Sequence, residues 1–437
     1  MSKEFFTAEK RIYDSVHGFI RHDDCEKYLI GSFPFQRLHY IHQLGIAYLV
    51  YPGATHTRFE HSLGVMELAS RIFHNVCKTV RPDIFHLVPR KGSPEYHYWR
   101  RVLRMASLCH DLGHLPFSHT AERDLLGEEG HEGWTYKIIQ SKYLKPIWEQ
   151  VLESSGVNED FPDRDVVQDI TKMSIGEKKW EELTGKTFTP WEKVISAIIT
   201  GDFFGADRID YLLRDSKSTG VAYGLFDYEQ LIEMIRILPA VGEGAELALG
   251  INENGLESCE ALLLARHFMH RRVYQYSSVK AYNFHLRRFM KEVFPPKRWS
   301  TIEDYLALND AGVTAELFAA ANNPKAIGHE DAACIIYRQN RFRALPFSFE
   351  IPEDELKSIQ TKAKIPKGKM AWEIKKKPIL EDVLSFPVSR SHLMVEKAKE
   401  CSDLLCKVAS TTQNWIYIAS DYEVAVSQAL EKYRSSL

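Results

Sequence analysis

The sequence predicts a mainly α-helical protein, with a helical-bundle core followed by a small mixed α/β lobe. Two observations indicate this class. Apolar residues recur at helical spacing through most of the chain, as they do over residues 102–108. Beyond about residue 342 the composition shifts to short runs rich in β-branched and aromatic residues. We therefore expect a core over residues 1–341 and a lobe over residues 342–437.

Three helices of the predicted core carry the polar residues of interest. The first begins at the candidate N-cap Thr57, the second leads into His110 and Asp111, and the third begins near Asp207. A longer helix is expected over residues 257–294. The polar span at about 156–190 is expected to be an insertion with short helices.

The lobe is predicted from alternating strands and helices. Its strand-like runs cover residues 347–351, 378–380 and 415–419. Its predicted helices cover residues 353–364 and 422–434. This mixture indicates a small sheet with helices packed on it.

The composition is that of an ordinary globular protein and excludes several classes. Of 437 residues, 44% are hydrophobic and 26% are charged, and 56 Lys and Arg against 59 Asp and Glu give a net charge of -3. Nucleic-acid binding is therefore not indicated. The seven cysteines form no C-x-x-C pair, and neither a signal segment nor an apolar run of membrane-spanning length occurs. We expect a cytoplasmic protein without membrane contact.

The most unusual stretch is CHDLGHLPFSH at residues 109–119. It places three imidazoles and a carboxylate close together, and His110 and His114 are four residues apart, so a helical turn would put them on one face. Grouped His and Asp side chains in an apolar setting are costly to bury unless they bind something, and these are ligands of divalent cations. The alternative is that they are core histidines with satisfied hydrogen bonds.

Other polar groups are less specific when each is considered alone. Arg58 and His61 can share one helical face, but Arg58 could also be a surface charge and His61 a polar helix residue. His131 and Glu132 follow a glycine-rich loop, where they could be a solvated pair or a catalytic pair. Arg266 belongs to a basic and aromatic group on the predicted long helix, which would suit phosphate or form a charged outer face.

Together these residues resemble the HD-domain phosphohydrolases, and within them the deoxynucleoside triphosphate triphosphohydrolases of the dGTPase and SAM-and-HD type. The pattern is H…HD…D, made by His61, His110-Asp111 and Asp207. The resemblance covers about residues 12–282. It includes the segments FQRL, QLG, PGA, RFEHSLGV, CHDLGH and PFSH.

The resemblance implies a metal centre beside proton-transfer groups. Four side chains would ligate a divalent ion (Mn, Mg, Fe, Zn or Ni), namely His61, His110, Asp111 and Asp207. Three histidines would transfer protons, with Glu132 as the orienting carboxylate: His114, His119 and His131. His119 would be the general acid for the leaving 5′-oxygen.

The resemblance also implies a nucleotide site. Its phosphate-contacting positions are Arg58, Arg208, Tyr211 and Arg266. Its sugar-contacting positions are Gln43, Leu44, Asp215 and Tyr274. The reaction would convert a dNTP and water into a deoxynucleoside and inorganic triphosphate, in a homo-oligomer. The alternatives are an HD phosphohydrolase for a monophosphate, cyclic or modified nucleotide, and a non-catalytic nucleotide-sensing scaffold.

The sequence departs from the mammalian pattern in two respects. No SAM domain is expected, because the core begins almost at residue 1. At the guanine-binding effector site the family's polar residues are replaced by Gly31, His39, Tyr276 and Ser277. Activation by guanine nucleotide through that site is therefore not expected.

Overall fold

The structure, a computed structural model, describes residues 10–154, 161, 163–241, 246–374, 386–390, 394–407 and 414–436. Helices dominate it. Those of the first half are α1 (Asp24–Ile30), α2 (Phe33–Gln36), α3 (Arg58–Lys78), α4 (Pro94–Cys109), α5 (Glu122–Leu125), α6 (Gly130–Ile139), α7 (Lys145–Ser154), α8 (Val166–Thr184), α9 (Pro190–Thr200) and α10 (Ala206–Thr219). Those of the second half are α11 (Tyr228–Met234), α12 (Leu256–Met269), α13 (Ser277–Val293), α14 (Ile302–Ala307), α15 (Asp310–Ala321), α16 (His329–Ile336), α17 (Glu353–Lys362), α18 (Ala398–Cys401), α19 (Asp403–Lys407) and α20 (Glu423–Arg434).

Nine short strands form three sheets in the described ranges. They are β1 (Lys10–Asp14), β2 (Gly18–His22), β3 (Ile235–Pro239), β4 (Leu247–Asn252), β5 (Arg343–Phe347), β6 (Met370–Glu373), β7 (Pro387–Ser389), β8 (Val395–Lys397) and β9 (Asn414–Ile418). Strands β1 and β2 pair as an antiparallel hairpin. The second sheet has the order β3-β4-β7-β8, with β4 and β7 parallel, and the third is antiparallel with the order β5-β9-β6. The mainly α fold with small sheets is confirmed.

Helices α3 and α4 form the centre of the core and position the polar residues. At the start of α3 the Glu60 carboxylate accepts a hydrogen bond from the backbone N–H of Thr57 at 3.2 Å, which satisfies one of the donors that a helix start leaves free. Helix α4 packs against α3, and α10 packs against α3 from the other side. The apolar faces meet in one large cluster, so the polar residues at the helix ends are brought together within it.

The C-terminal lobe is built around the β5-β9-β6 sheet. On one face Trp415 and Tyr417 pack against Phe284 of α13. On the other face Ile416 packs with Leu356 of α17 and its neighbours from α20. Because α13 belongs to the helical core, the sheet is attached directly to the core.

Three details differ from the sequence-based expectations, and a fourth expectation is not tested. Residues 166–184 form two short helical segments, separated by non-helical backbone at Gly176, that pack against α4 and α6, so short helices are present as expected but they belong to the core. Residues 387–390 and 394–407 pack with the main core although they follow the predicted boundary at residue 342. The first lobe strand is Arg343–Phe347 and not 347–351, because Pro352 and an acidic turn start α17 directly afterwards. The predicted strand at 378–380 lies outside the described residues.

The expected long helix over residues 257–294 is interrupted. Helix α12 ends at Met269, a wide π-type turn covers His270–Tyr274, and α13 starts at Ser277. Such turns are frequent at functional sites. Here the turn places the Tyr274 hydroxyl 2.7 Å from Asp215 of α10. Among the described residues, no helix is long and apolar enough to cross a membrane.

Candidate metal centre and active site

Side chains from three helices converge at one point of the core. His61 comes from α3, His110 and Asp111 follow the end of α4, and Asp207 lies in the first turn of α10. The His61 Nε2 atom is 3.0 Å from Asp207 Oδ1 and 3.6 Å from Asp111 Oδ2. His110 Nε2 is 3.4 Å from Asp111 Oδ1 and 3.9 Å from Asp207 Oδ1. The structure therefore brings together the four residues that the sequence predicted as ligands, and we call these four side chains the metal cluster.

This cluster fits a divalent cation. Bonds of about 2.1 Å to one ion separate neighbouring ligand atoms by roughly 3.0–3.4 Å, close to the distances found here. The Nδ1 atom of His110 binds the Ser107 carbonyl at 2.7 Å, while its buried Nε2 atom has no hydrogen-bond partner in the described part of the chain. A buried ring nitrogen without a partner is available to bind an ion.

A buried network holds His61 from behind. The Asp210 carboxylate accepts from His61 Nδ1 at 2.7 Å and contacts His17 Nε2 at 2.6 Å. Arg214 donates two hydrogen bonds of 2.9 Å to Asp210, and it also donates to Asp14 at 2.9 Å. This is the arrangement that fixes the ring of a metal-binding histidine and raises its basicity.

Gly64 makes room for that network. A Cβ atom at this position of α3 would lie 1.9 Å from Asp210 Oδ1 and 2.5 Å from Arg214 Nη2. Any other residue would displace the buried ion pair. The glycine in the RFEHSLGV segment is therefore explained by packing between α3 and α10.

Arg58 is bound to the metal cluster itself. Its Nη1 atom donates to Asp111 Oδ2 at 2.5 Å, and its Nε atom donates to Ser118 Oγ at 2.8 Å. Burial by itself would raise the pKa of Asp111, but the Arg58 guanidinium and the neighbouring histidines hold it well below the ordinary value of a carboxyl group. Asp111 is therefore ionised, as a metal ligand must be.

Three histidines form a second group beside the metal cluster. The ring of His114 stacks on that of His131, with centroids 3.8 Å apart, and meets that of His119 edge-on at 4.6 Å. His114 Nε2 is 3.2 Å from Asp111 Oδ1, which links the two groups. Burial lowers the pKa of His114 well below its ordinary value, and the Arg58 and His131 charges lower it further. His114 is thus neutral at physiological pH.

Glu122, and not the predicted Glu132, makes the shortest carboxylate contacts with this group. Glu122 contacts His131 Nδ1 at 2.5 Å and His119 Nδ1 at 2.7 Å. Glu132 lies 3.6 Å from His131 Nδ1, and its side chain is 39% exposed. Glu122 follows His119 by three residues, a spacing that puts both on one side of a helical turn and would have indicated the pair.

The loop between α4 and α5, which carries His114 and His119, is held in place by residues that are distant in the sequence. Phe117 and Ser118 both have left-handed backbone angles, with φ of 58° and 57°, a conformation that costs a non-glycine residue about 1–3 kcal/mol. Asp310 of α15 accepts from the Phe117 N–H at 2.7 Å. Arg37 donates to the His114 carbonyl at 2.9 Å, and the Tyr305 hydroxyl donates to that of Gly113. These contacts offset the strain of the loop.

A cavity of about 590 Å³ opens onto both groups. It is lined by His110, Asp111 and Asp207 of the metal cluster and by the three histidines. It is also lined by most of the residues expected to hold a nucleotide. Those expected residues are Gln43, Leu44, Arg58, Tyr211, Asp215 and Tyr274. Asp215 is also bound by His56, whose Nε2 atom lies 2.7 Å away. No role for His56 was predicted from the sequence.

Two arginines lie beside Tyr211. The buried Nε and Nη1 atoms of Arg208 have no hydrogen-bond partner among the residues that the structure describes. Burial and the nearby Arg208 charge lower the pKa of Arg266, although it remains a cation at physiological pH. The Asp202 carboxylate acts on Arg266 in the opposite direction, and a bound anion would stabilise the two neighbouring cations further.

The fold and the site define a helical protein with a His/Asp metal centre, and comparisons with known proteins identify its family. Residues 58–164 match the HD domain. A solved structure of a hypothetical protein from Aquifex aeolicus is 32% identical, with a TM-score of 0.74 over 97% of this chain and 100% of that one. A phosphohydrolase structure from Bacteroides thetaiotaomicron, 22% identical, has the same fold, with a TM-score of 0.68 over 94% of this chain and 100% of that one. The chain belongs to the HD-domain family.

Curated relatives are similar over part of their length. An uncharacterized protein of Methanocaldococcus jannaschii is 32% identical over 72% of this chain and 56% of its own length. The human deoxynucleoside triphosphate triphosphohydrolase SAMHD1 is 30% identical over 61% of this chain and 42% of its own length. The chain thus spans about half the length of the curated relatives it matches.

Proposed function

We propose that the protein is a metal-dependent phosphohydrolase that converts deoxynucleoside triphosphates into deoxynucleosides and inorganic triphosphate. The observation that carries this proposal is the position of Arg208. Its buried guanidinium atoms lack partners in the described chain, it directly follows Asp207 in α10, and its charge acts on the neighbouring Arg266. A polyanionic tail satisfies both cations. Similarity to the triphosphohydrolase SAMHD1 supports the choice of substrate.

The sugar would lie on the opposite side, against Tyr274. The Tyr274 hydroxyl is bound to Asp215 Oδ2 at 2.7 Å, which fixes the ring, and Asp215 is itself fixed by His56. A ring held in this way leaves little space for a 2′-hydroxyl group next to C2′. Ribonucleotides are therefore excluded sterically, while Gln43 and Asp215 bind the 3′-hydroxyl.

The reaction is hydrolysis at the α-phosphate. Water adds to the α-phosphorus, the bond to the 5′-oxygen breaks, and that oxygen receives a proton. A divalent ion held by His61, His110, Asp111 and Asp207 would supply Lewis-acid polarisation of the phosphate. His119 donates the proton, because Glu122 binds its Nδ1 atom and leaves Nε2 to face the cavity. We further propose that the enzyme acts in the cytoplasm as a homo-oligomer.

A product assay tests the proposal. Purified protein with Mn²⁺ or Mg²⁺ is incubated with each dNTP and rNTP, and with nucleoside monophosphates and cyclic nucleotides. We expect deoxynucleoside and intact triphosphate from dNTPs, and at least about tenfold less product from the matching rNTPs. If all four dNTPs remain intact, with and without added nucleotides, the proposed substrate is wrong. Release of phosphate from a monophosphate or cyclic nucleotide would favour the alternative hydrolase.

Replacing Arg266 with alanine tests the proposed contact between Arg266 and the triphosphate. We expect the KM for dNTP and the inhibition constant for inorganic triphosphate to rise about tenfold or more, because one charge-assisted contact of about 1.5–3 kcal/mol is lost. Metal content is expected to be unchanged. The matched control is Arg271→Ala, which removes an exposed arginine from the next turn. Equal effects of the two substitutions would contradict the assignment.

A further inference from the structure

A second cavity, of about 320 Å³, adjoins the one that contains the metal cluster. The two cavities share four residues: Gln43, Leu44, His119 and Tyr274. Three of these are the residues expected against the sugar, and the fourth is the proposed acid for its 5′-oxygen. We propose that this adjoining cavity binds the nucleobase, and that polar groups of α13 and of the C-terminal sheet recognise its edge. This inference rests on the proposed function.

The lining of the adjoining cavity suits a flat, largely apolar ring. Its apolar and aromatic walls include Ala47, Phe117, Val273, Val279, Phe284 and Tyr417. Ligand sites of this type combine such walls with a small number of placed polar groups. Here those groups are Asn283 and Lys280 of α13 and Glu373 at the end of β6.

The charges of the adjoining cavity do not suit a phosphate. Lys280 Nζ lies 3.1 Å from Glu373 Oε2, and Arg287 Nε lies 3.2 Å from Asp124 Oδ2, so both cations face a carboxylate. The third cation, Arg123, is exposed to solvent. Arg208 differs from all three, because its buried nitrogens have no such partner in the described chain. Arg208 lines neither cavity, but its unpartnered nitrogens make it the better site for the triphosphate, which leaves the adjoining cavity for a neutral polar group.

The polar groups can both donate and accept hydrogen bonds at the edge of a base. The Asn283 side-chain amide, whose Oδ1 atom lies 3.3 Å from Thr120 Oγ1, has N–H groups that can donate. The Glu373 carboxylate accepts from Tyr417 at 2.9 Å and from Lys280, and a carboxylate has capacity for further N–H donors. At the shared wall, the buried Oε1 atom of Gln43 has no partner among the described residues. Nucleobases present such donors and acceptors at their edges.

One consequence concerns the lobe. Glu373 and Tyr417 belong to the β5-β9-β6 sheet, which packs on α13 through Trp415 and Tyr417. The sheet therefore contributes directly to the wall of the substrate site. Base preference is then set by the lobe together with α13, while the metal and phosphate chemistry is set by the rest of the helical core.

Binding of the four 2′-deoxynucleosides tests this inference, because they contain base and sugar without phosphate. Their Kd values are measured by calorimetry on the full chain with Mn²⁺, for the unaltered protein and for Glu373→Gln and Asn283→Ala. We expect at least one deoxynucleoside to bind about tenfold more weakly to each variant, and another to change less than about threefold. The Kd of inorganic triphosphate should not change. The control is Glu423→Gln, which removes a charge paired with Arg343 at 3.3 Å elsewhere in the same lobe.

Several outcomes would overturn the inference. They are a failure of the unaltered protein to bind any deoxynucleoside, unchanged Kd values in both variants, or equal losses for all four bases. Asn283→Ala breaks no ion pair, so it remains informative if Glu373→Gln lowers the melting temperature. If deoxynucleosides bind with the expected pattern but no dNTP is hydrolysed, the base cavity stands and the proposed function fails.

Discussion

Replacing Asp111 with asparagine is expected to remove the bound metal ion and to lower kcat about a thousandfold or more. Asp111 provides one charged ligand atom to the cluster, and its Oδ2 atom also accepts from Arg58 at 2.5 Å. The amide keeps the shape and one hydrogen bond but supplies no negative charge, so several kcal/mol of charge stabilisation in the transition state are lost. Metal content after dialysis is measured by atomic absorption, and activity by triphosphate release.

The control for this substitution is Asp403→Asn. The side chain of Asp403 is 98% exposed, so the same chemical change there is expected to alter neither metal content nor rate. An Asp111→Asn protein that keeps one ion per chain and a rate within tenfold of the unaltered protein would contradict the assignment of the metal centre.

Replacing Asp210 with alanine is expected to weaken both folding and metal binding. Asp210 is fully buried between His17, His61 and Arg214. Its removal leaves Arg214 with Asp14 as the remaining carboxylate of the network, and breaking a buried ion pair costs about 3–5 kcal/mol. The affinity for metal should fall about 10–100-fold, because His61 loses the partner that orients its ring.

A control substitution at another buried carboxylate separates the loss of folding stability from the loss of metal affinity. Asp169 is also buried and accepts from Tyr98 at 2.5 Å and from Arg164 at 3.1 Å, but it does not contact the metal cluster. Asp169→Ala is expected to lower the free energy of unfolding in urea while the Kd for Mn²⁺ stays the same. If both variants lose metal to the same extent, the role given to Asp210 is only structural.

The sequence was most informative where one helix end carries several functional residues. His110, Asp111 and His114 were recognisable because imidazole and carboxylate groups are costly to bury in an apolar setting unless they bind an ion or a polar partner. Glu132 was chosen as the orienting carboxylate because it is adjacent to His131 in the chain, whereas the carboxylate that approaches His131 more closely in space is that of Glu122. Which carboxylate reaches a ring depends on how α5 and α6 pack.

The fold was predictable to a similar extent. Periodicity identified the helices, but the interruption at His270–Tyr274 was missed because the flanking sequence is helical on both sides. The pairing of β7 and β8 with the core strands β3 and β4 was missed as well. Strands β4 and β7 are far apart in the chain. Such long-range pairings leave no periodic signal in a local window.

By itself, the sequence determined the class of the fold, the residue types of the metal cluster and the resemblance to HD-domain phosphohydrolases. Those properties follow from local spacing, because residues three or four apart share a helical face. Only the tertiary structure decided that Asp210 binds His61, that Glu122 contacts the group of three histidines, and that the C-terminal sheet lines the proposed base cavity. The physical reason is that periodicity shows which residues share a face, while packing between distant helices decides which faces meet.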